Sequence, residues 1–200
     1  MNIITRGRHH KEFALCKSAA KAAPTDSRQS WKGVVKIENQ SDISYMISTD
    51  GRILVKFALF SLYEEGLYRI CKNTVREIMF VKVDPAADQI RFPEYKNVIK
   101  NAKRLANRQA ELPFHNPDHD LWAMIINHIL ATSCGKYKNV ALNPKYIHVL
   151  PKCPLSLTML FCTYKKADDI LRPILFENDQ MTIAIMPMSI TVPEIVRLKK

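Results

Sequence analysis

The stretch Ile43-Ser44-Tyr45-Met46-Ile47-Ser48-Thr49-Asp50-Gly51-Arg52-Ile53-Leu54-Val55-Lys56-Phe57-Ala58-Leu59 decides the fold class. Residues 43–47 and 53–59 are rich in the β-branched, aromatic and apolar side chains of strands. Between them, Asp50-Gly51 is a hairpin signal, because glycine takes the positive φ of a tight turn at no steric cost. Working back, Val34 to Glu38 reads as a partner strand, joined through the turn-rich Asn39-Gln40-Ser41-Asp42. Before it, Glu12 to Ala23 has helical spacing. Phe13, Cys16, Ala20 and Ala23 share one face, while Lys17 and Lys21 stand at i, i+4 on another. Pro24 stops that helix. The first 60 residues therefore order as helix, strand, strand, turn, strand.

Working forward, Tyr68 to Cys71 and Ile78 to Val83 form a second strand pair around Asn73-Thr74, ended by Pro85. Val98 to Ala110 reads as a strongly basic helix carrying Lys100, Lys103, Arg104 and Arg108. Pro113 to Asp120 is a loop with two prolines. Leu121 to Ala131 has helical length, capped by Asp118 or Asp120. Pro144 to Val149 begins as a short helix with Asn143 as cap and proline in the first turn. Leu155 to Tyr164, Ile170 to Phe176 and Met181 to Met186 read as strands, and Pro193 to Lys200 as a basic tail. Segregated helices and hairpins make the class α+β. The composition shift between Tyr95 and Pro113 divides the chain into a unit over 1–95, a basic linker or helix over 96–112, and a unit over 113–200.

At 200 residues the chain has room for one large domain or two of about 100 residues, with a real core and no staples. The formal net charge of +11 favours a polyanionic partner, most simply nucleic acid. Cys16, Cys71, Cys134, Cys153 and Cys162 are odd in number and form no C-x-x-C pair. That argues against a disulfide framework and a zinc ribbon, and for reduced thiols. No apolar run reaches the roughly 18 residues of a membrane span. The basic start, Met1 to Lys11, lacks an apolar signal core, so a cytoplasmic location is expected.

Three strings recur in a family order: Ser48-Thr49-Asp50-Gly51-Arg52, Phe92-Pro93-Glu94-Tyr95-Lys96-Asn97-Val98-Ile99, and Met186-Pro187-Met188. Val140-Ala141-Leu142-Asn143-Pro144-Lys145-Tyr146-Ile147 and Leu171-Arg172-Pro173 support them. Together they resemble the bacterial DNA sliding clamp, the beta subunit of the replicative polymerase. The resemblance covers about half the chain, chiefly residues 9–60 and 140–190. It departs where the family's second helix gives way to the Tyr68–Val83 hairpin, where 96–138 is short, and at Ile53 and Ser189, where the family often has arginine.

The resemblance implies two clamp-like domains of helices on antiparallel sheets, and a non-enzymatic processivity factor encircling double-stranded DNA. Two domains per chain imply a homo-oligomer, with three chains supplying the six domains of a ring. A DNA polymerase or other clamp-binding peptide is the implied client and a clamp loader a further partner; so small a version suits a phage or mobile element. The alternative is a clamp-like adaptor or inhibitor that binds replication proteins without closing a ring. Carried over by position, the peptide pocket comprises Thr49, Gly51, Leu54, Pro93, Val98, Met186, Pro187 and Met188. Flexible methionines suit varied anchors. Lys11, Lys17, Lys21, Lys100, Lys103, Arg104 and Arg108, on expected helices, are the DNA-facing candidates, positioning phosphates without reading bases. Taken alone, each set also reads as ordinary core and turn residues, or as solvated helix faces.

No catalytic frame competes with this reading. Ser48 and Ser133 lack a G-x-S-x-G frame, and no Walker or other glycine-rich phosphate loop is present. His115 and His119 stand at i, i+4, but Pro117 between them spoils a helical metal pair. His9-His10 reads as a surface pair. Asp168-Asp169 has no further carboxylate cluster to make a metal site. No metal, cofactor or catalytic residue is expected.

Overall fold

The computed structural model describes residues 2–7, 10–24, 28, 30–112, 118–134, 140–151, 156–166 and 169–189. Of the loop expected over 113–120, residues 113–117 lie outside the described residues, while His119 and Asp120 already belong to a helix; the tail over 193–200, His9, His115, Cys153 and Asp168 also lie outside the described residues.

The first part of the chain runs β1 (Asn2–Thr5), α1 (His10–Ala22), β2 (Val34–Gln40), β3 (Ile43–Thr49), β4 (Ile53–Ala58), β5 (Gly66–Asn73) and β6 (Glu77–Val83). Then follow α2 (Lys96–Leu105), β7 (Arg108–Leu112), α3 (His119–Ser133), β8 (Val140–Ala141), α4 (Pro144–Ile147), β9 (Leu157–Phe161), β10 (Ile174–Asn178), β11 (Met181–Ile185) and β12 (Met188–Ser189). The class is α+β, as the sequence implies. Ten strands form one antiparallel sheet in the order β1-β6-β5-β2-β3-β4-β11-β10-β9-β7, and β12 pairs with β8 apart from it. The two parts of the chain meet in the middle, where β4 pairs with β11 from Ile53↔Ile185 to Phe57↔Met181.

Strand alternation gives the sheet two differently clothed faces. On one face, Met46, Val55, Phe57, Met159, Phe176 and Ile183 pack beneath Phe13, Cys16 and Ala19 of α1, Trp122 and Ile126 of α3, and Ile147 of α4. Burying each large apolar side chain here contributes roughly 1.5–3 kcal/mol. On the other face, Ile47, Leu54, Leu175 and Ala184 meet Ala102 of α2 and Tyr95, which caps it. Leu54 and Val55 are neighbours in sequence and serve opposite layers, which is what a sheet covered on both sides requires. Buried Glu12 ties the segment after β4 to α1: its Oε1 accepts from the Ser61 amide at 2.7 Å and its Oε2 from the Tyr63 hydroxyl at 2.8 Å.

Several expectations are corrected in detail. The basic helix ends at Leu105 rather than Ala110, because Ala106 is extended (φ −62°, ψ 130°), and 108–112 becomes β7 on the edge beside β9. Thus the 96–112 stretch is a helix followed by a strand. Among the described residues the strand read over 155–164 is confined to Leu157–Phe161, and that over 170–176 begins at Ile174. Short β1, β8 and β12 have no periodicity long enough to read, and only tertiary pairing defines them. The caps hold: Asp118 accepts from the Asp120 amide and Asn143 from the Lys145 amide. No helix among the described residues is long and apolar enough to cross a membrane.

Candidate peptide-binding site

The site is built outward from the β3–β4 turn. Gly51 sits at φ +89°, the conformation for which glycine is needed. The Asp50 carboxylate accepts from the amides of Arg52 at 2.8 Å and Ile53 at 2.9 Å, and the Thr49 hydroxyl accepts from the Gly51 amide at 3.0 Å. Trp31 Nε1 donates to the Thr49 carbonyl at 3.0 Å. The Met186 amide donates to the Arg52 carbonyl at 2.8 Å, so the end of β11 is fastened to the turn. Arg52 and Met186 are therefore set beside each other by backbone geometry.

The second wall is α2. Tyr95 precedes it, with its carbonyl accepting from the Val98 and Ile99 amides. The Tyr95 hydroxyl donates to Glu38 Oε2 at 2.6 Å. Lys36 Nζ lies 2.5 Å from Glu38 Oε1, and Lys96 Nζ 3.1 Å from Oε2. Burial alone would raise the Glu38 carboxyl, but the hydrogen bonds from Lys36, Tyr95 and Lys96 outweigh it and hold the group down at about 2. Burial and the Glu38 carboxylate push the Tyr95 hydroxyl well above its ordinary range. At the far end of α2, Lys103 pairs with Glu177 of β10 at 2.5 Å. These anchors hold α2 against the sheet by one edge and leave a cleft along the other.

That cleft is an apolar cavity of about 380 Å³. Of the positions expected from the sequence, Thr49, Gly51, Leu54, Pro93, Val98 and Met186 stand on its wall. Pro187 and Met188 do not: Pro187 is buried, and Met188 turns away into β12 opposite Ala141. Val98 and Met186 are 39% and 37% exposed, so they present open apolar surface, whereas Leu54 at 5% is the cavity floor. The sequence reading missed Asn101, Ala102 and Leu105, although their spacing from Val98 marks one helix face. It also missed Arg172 and Pro173 as wall residues, although Leu171-Arg172-Pro173 is among its motif strings.

The basic candidates separate. Lys11, Lys17 and Lys21 belong to α1, on the opposite face of the sheet from α2, which carries Lys100, Lys103 and Arg104; Arg108 opens β7. The seven therefore form no single surface. The Lys11 side chain lies outside the described residues. Lys17 Nζ donates to Asn73 Oδ1 and, at 3.1 Å, to the Thr74 carbonyl. Lys21 reaches the His148 carbonyl at 3.4 Å, tying α1 to the end of α4. Burial lowers the Lys17 amine, with Lys21 adding to it.

Among the described residues the remaining candidates make no reactive cluster. His119 stacks on His148 with ring centroids 5.1 Å apart, and His148 Nε2 lies 3.0 Å from Asp120 Oδ1. Among the described residues no group of three or more His, Cys, Asp or Glu side chains is placed to hold a metal ion. Among the described residues, buried Ser48 has neither a histidine nor a carboxylate bonded to its hydroxyl.

No protein-family model and no curated protein matches the chain. Solved structures do. The DNA polymerase sliding clamp of Bacillus subtilis superposes with a TM-score of 0.56 over 94% of this chain at 10% identity. The chain has the sliding-clamp fold. The beta clamp of Helicobacter pylori, bound to a DNA ligase peptide, gives 0.50 over 89% at 13% identity. The polymerase III beta sliding clamp of Bartonella birtlesii, bound to griselimycin, gives 0.54 over 94% at 10% identity. The chain spans 64%, 63% and 66% of the length of those chains.

Proposed function

We propose that this chain is a non-enzymatic sliding clamp or clamp-like processivity factor, whose cavity between α2 and the β3–β4 turn receives a client peptide. The observation that carries the reading is the apolar cavity itself, where three strings distant in sequence meet on a clamp fold. A peptide bound to one of the similar clamps, that of Helicobacter pylori, supports it. The occupant would be a short segment with leucine and phenylalanine anchors, from a DNA polymerase or another replication protein.

The same proposal extends to assembly. Units over 1–95 and 113–200, with 96–112 between, would give a trimer six domains to close around double-stranded DNA. The sheet ends in edge strands β1 and β7, unpaired on their outer sides among the described residues. Distinct free edges at opposite ends suit a head-to-tail contact, which makes a ring when its rotation closes. Light scattering over a concentration series tests this. A trimer is the expected result, and a strict monomer at high concentration overturns the ring.

One observation favours the second reading, an adaptor or inhibitor that binds clamp clients without encircling DNA. The outward side of α3 is apolar rather than basic, with Leu121, Met124 and Ile125 exposed by 53%, 70% and 44%. A monomer that binds a polymerase peptide but not duplex DNA would establish that reading.

A further inference from the structure

The client cavity has a charged rim that its apolar floor does not call for. Arg52 and Arg172 stand on its wall. Arg104 follows the wall residue Asn101 by one helical turn, and Lys100 precedes Arg104 by four residues on the outward side of α2. The other α2 cations are already satisfied, Lys96 by Glu38 and Lys103 by Glu177. Among the described residues, no carboxylate lies within ion-pair distance of Lys100, Arg104 or Arg172. Among the described residues the one carboxylate on the wall is that of Glu94, which accepts from the Lys96 amide at 3.0 Å. Arg172 is thus an uncompensated cation on the wall, and Lys100 and Arg104 are uncompensated cations on the outward side of the helix that forms it.

We infer that the client segment is acidic, carrying Asp or Glu beside its apolar anchors, with its carboxylates lying over Arg172 and along the Lys100–Arg104 side of α2. This rests on the peptide-pocket reading above and adds the chemistry of the partner. Charge complementarity at a rim steers encounter and selects partners more than it adds affinity, so the floor would hold the peptide and the rim would choose it. A nucleic acid fits the same cations less well. Among the described residues the only aromatic ring on the wall is that of Tyr95, which is 4% exposed and offers bases no stacking platform.

Fluorescence anisotropy with the full chain tests the inference, using labelled peptides that share leucine and phenylalanine anchors but carry Asp/Glu, Ser/Gly or Lys flanks. At low salt the acidic peptide is expected to bind about three- to tenfold tighter than the neutral one, as a few exposed ion pairs allow. The lysine-flanked peptide should be weakest. The preference should shrink in Lys100→Gln/Arg104→Gln and at high salt, with the melting curve confirming that the variant is folded. Equal affinity for acidic and neutral peptides overturns the acidic client while leaving the pocket standing; no binding of any peptide removes the pocket as well. A single-stranded oligonucleotide that binds through Lys100 and Arg104, while the acidic preference survives their replacement, assigns those cations to nucleic acid and overturns the inference.

Discussion

The Tyr95 hydroxyl donates to Glu38 Oε2 at 2.6 Å, joining the residue that opens α2 to the middle of β2, 57 positions earlier. The bond is buried and charge-assisted, so it holds more than an exposed pair would. Through it, the helix wall of the cavity is registered on the sheet. Tyr95→Phe is expected to cost about 1.5–3 kcal/mol of stability, as loss of a hydrogen bond to a charged group does, measured by urea unfolding. It should also weaken peptide binding, because α2 loses its anchor. A variant as stable as the parent would show that packing alone positions α2.

The same carboxylate sets an acid limit. Glu38 is depressed from its ordinary 4.5 to about 2 in the folded chain. A depressed acid contributes stability that is fully present above its unfolded value and is lost as pH falls through the folded one. The window is therefore about pH 4.5 down to 2, and the loss on the order of 1–3 kcal/mol. Glu38→Gln should be less stable than the parent at pH 7 and should flatten this part of the pH profile. A parallel profile for the variant would place the acid sensitivity elsewhere.

Cavity residues that look alike in sequence separate by exposure. Met186→Ala and Val98→Ala remove open wall surface, and each should weaken peptide binding by about 1–2 kcal/mol with little change in melting. Leu54→Ala instead empties the core between α2 and the sheet, where Leu54 is 5% exposed. It should cost about 2–5 kcal/mol of stability. Calorimetry paired with thermal melting distinguishes the two classes. Unchanged affinity in folded Met186→Ala and Val98→Ala would remove the peptide from this cavity. Met188→Ala, outside the wall, should leave binding unaltered.

The hairpins over 34–59 and 66–83 were legible because long β-rich runs and an Asp-Gly turn state them locally. So were α1, α3 and the Asn143 cap, where helical spacing and capping chemistry agree. The end of α2 was not legible. Its basic residues continue through Arg108, and nothing in the local pattern announces that Arg108–Leu112 will be captured as a strand by Leu157–Phe161. Thr49, Gly51, Leu54, Pro93, Val98 and Met186 could be placed on the cavity wall because their motif strings lie at turns and linkers. Pro187 and Met188 fell off it because β12 pairs with β8, a contact of two residues that no periodicity reports. The side of the sheet on which each lysine would stand was also hidden, since it follows from which face α2 covers.

Gly51 offers a test of how tightly the turn sets the site. A Cβ added there would meet nothing within 4 Å, so a substitution is penalised by backbone conformation alone. At φ +89°, Gly51→Ala should cost roughly 1–2 kcal/mol, visible as a lower melting temperature. Because the Met186 amide is bonded to the Arg52 carbonyl, peptide affinity should fall as well. Reduced stability with full affinity would show that the turn and the end of β11 move independently of the cavity.

The separation of the basic residues by the sheet makes the location of DNA decidable. If helices α1 and α4 face the duplex, Lys21 and Lys17 are available to phosphates, while Lys100 and Arg104 point away on the other side of the sheet. Lys17→Ala/Lys21→Ala should then reduce the log–log salt slope of duplex binding by up to about two, at roughly 0.9 per phosphate contact. Lys17 already donates to Asn73 and Thr74, so Lys21 should supply the larger share. Lys100→Ala/Arg104→Ala should leave the slope as it is. Because the α1 and α2 cations cannot share one straight duplex, the paired variants give opposite answers for the two faces. A slope that falls only in the α2 variant would put the DNA on the outer face and rule out a channel lined by α1.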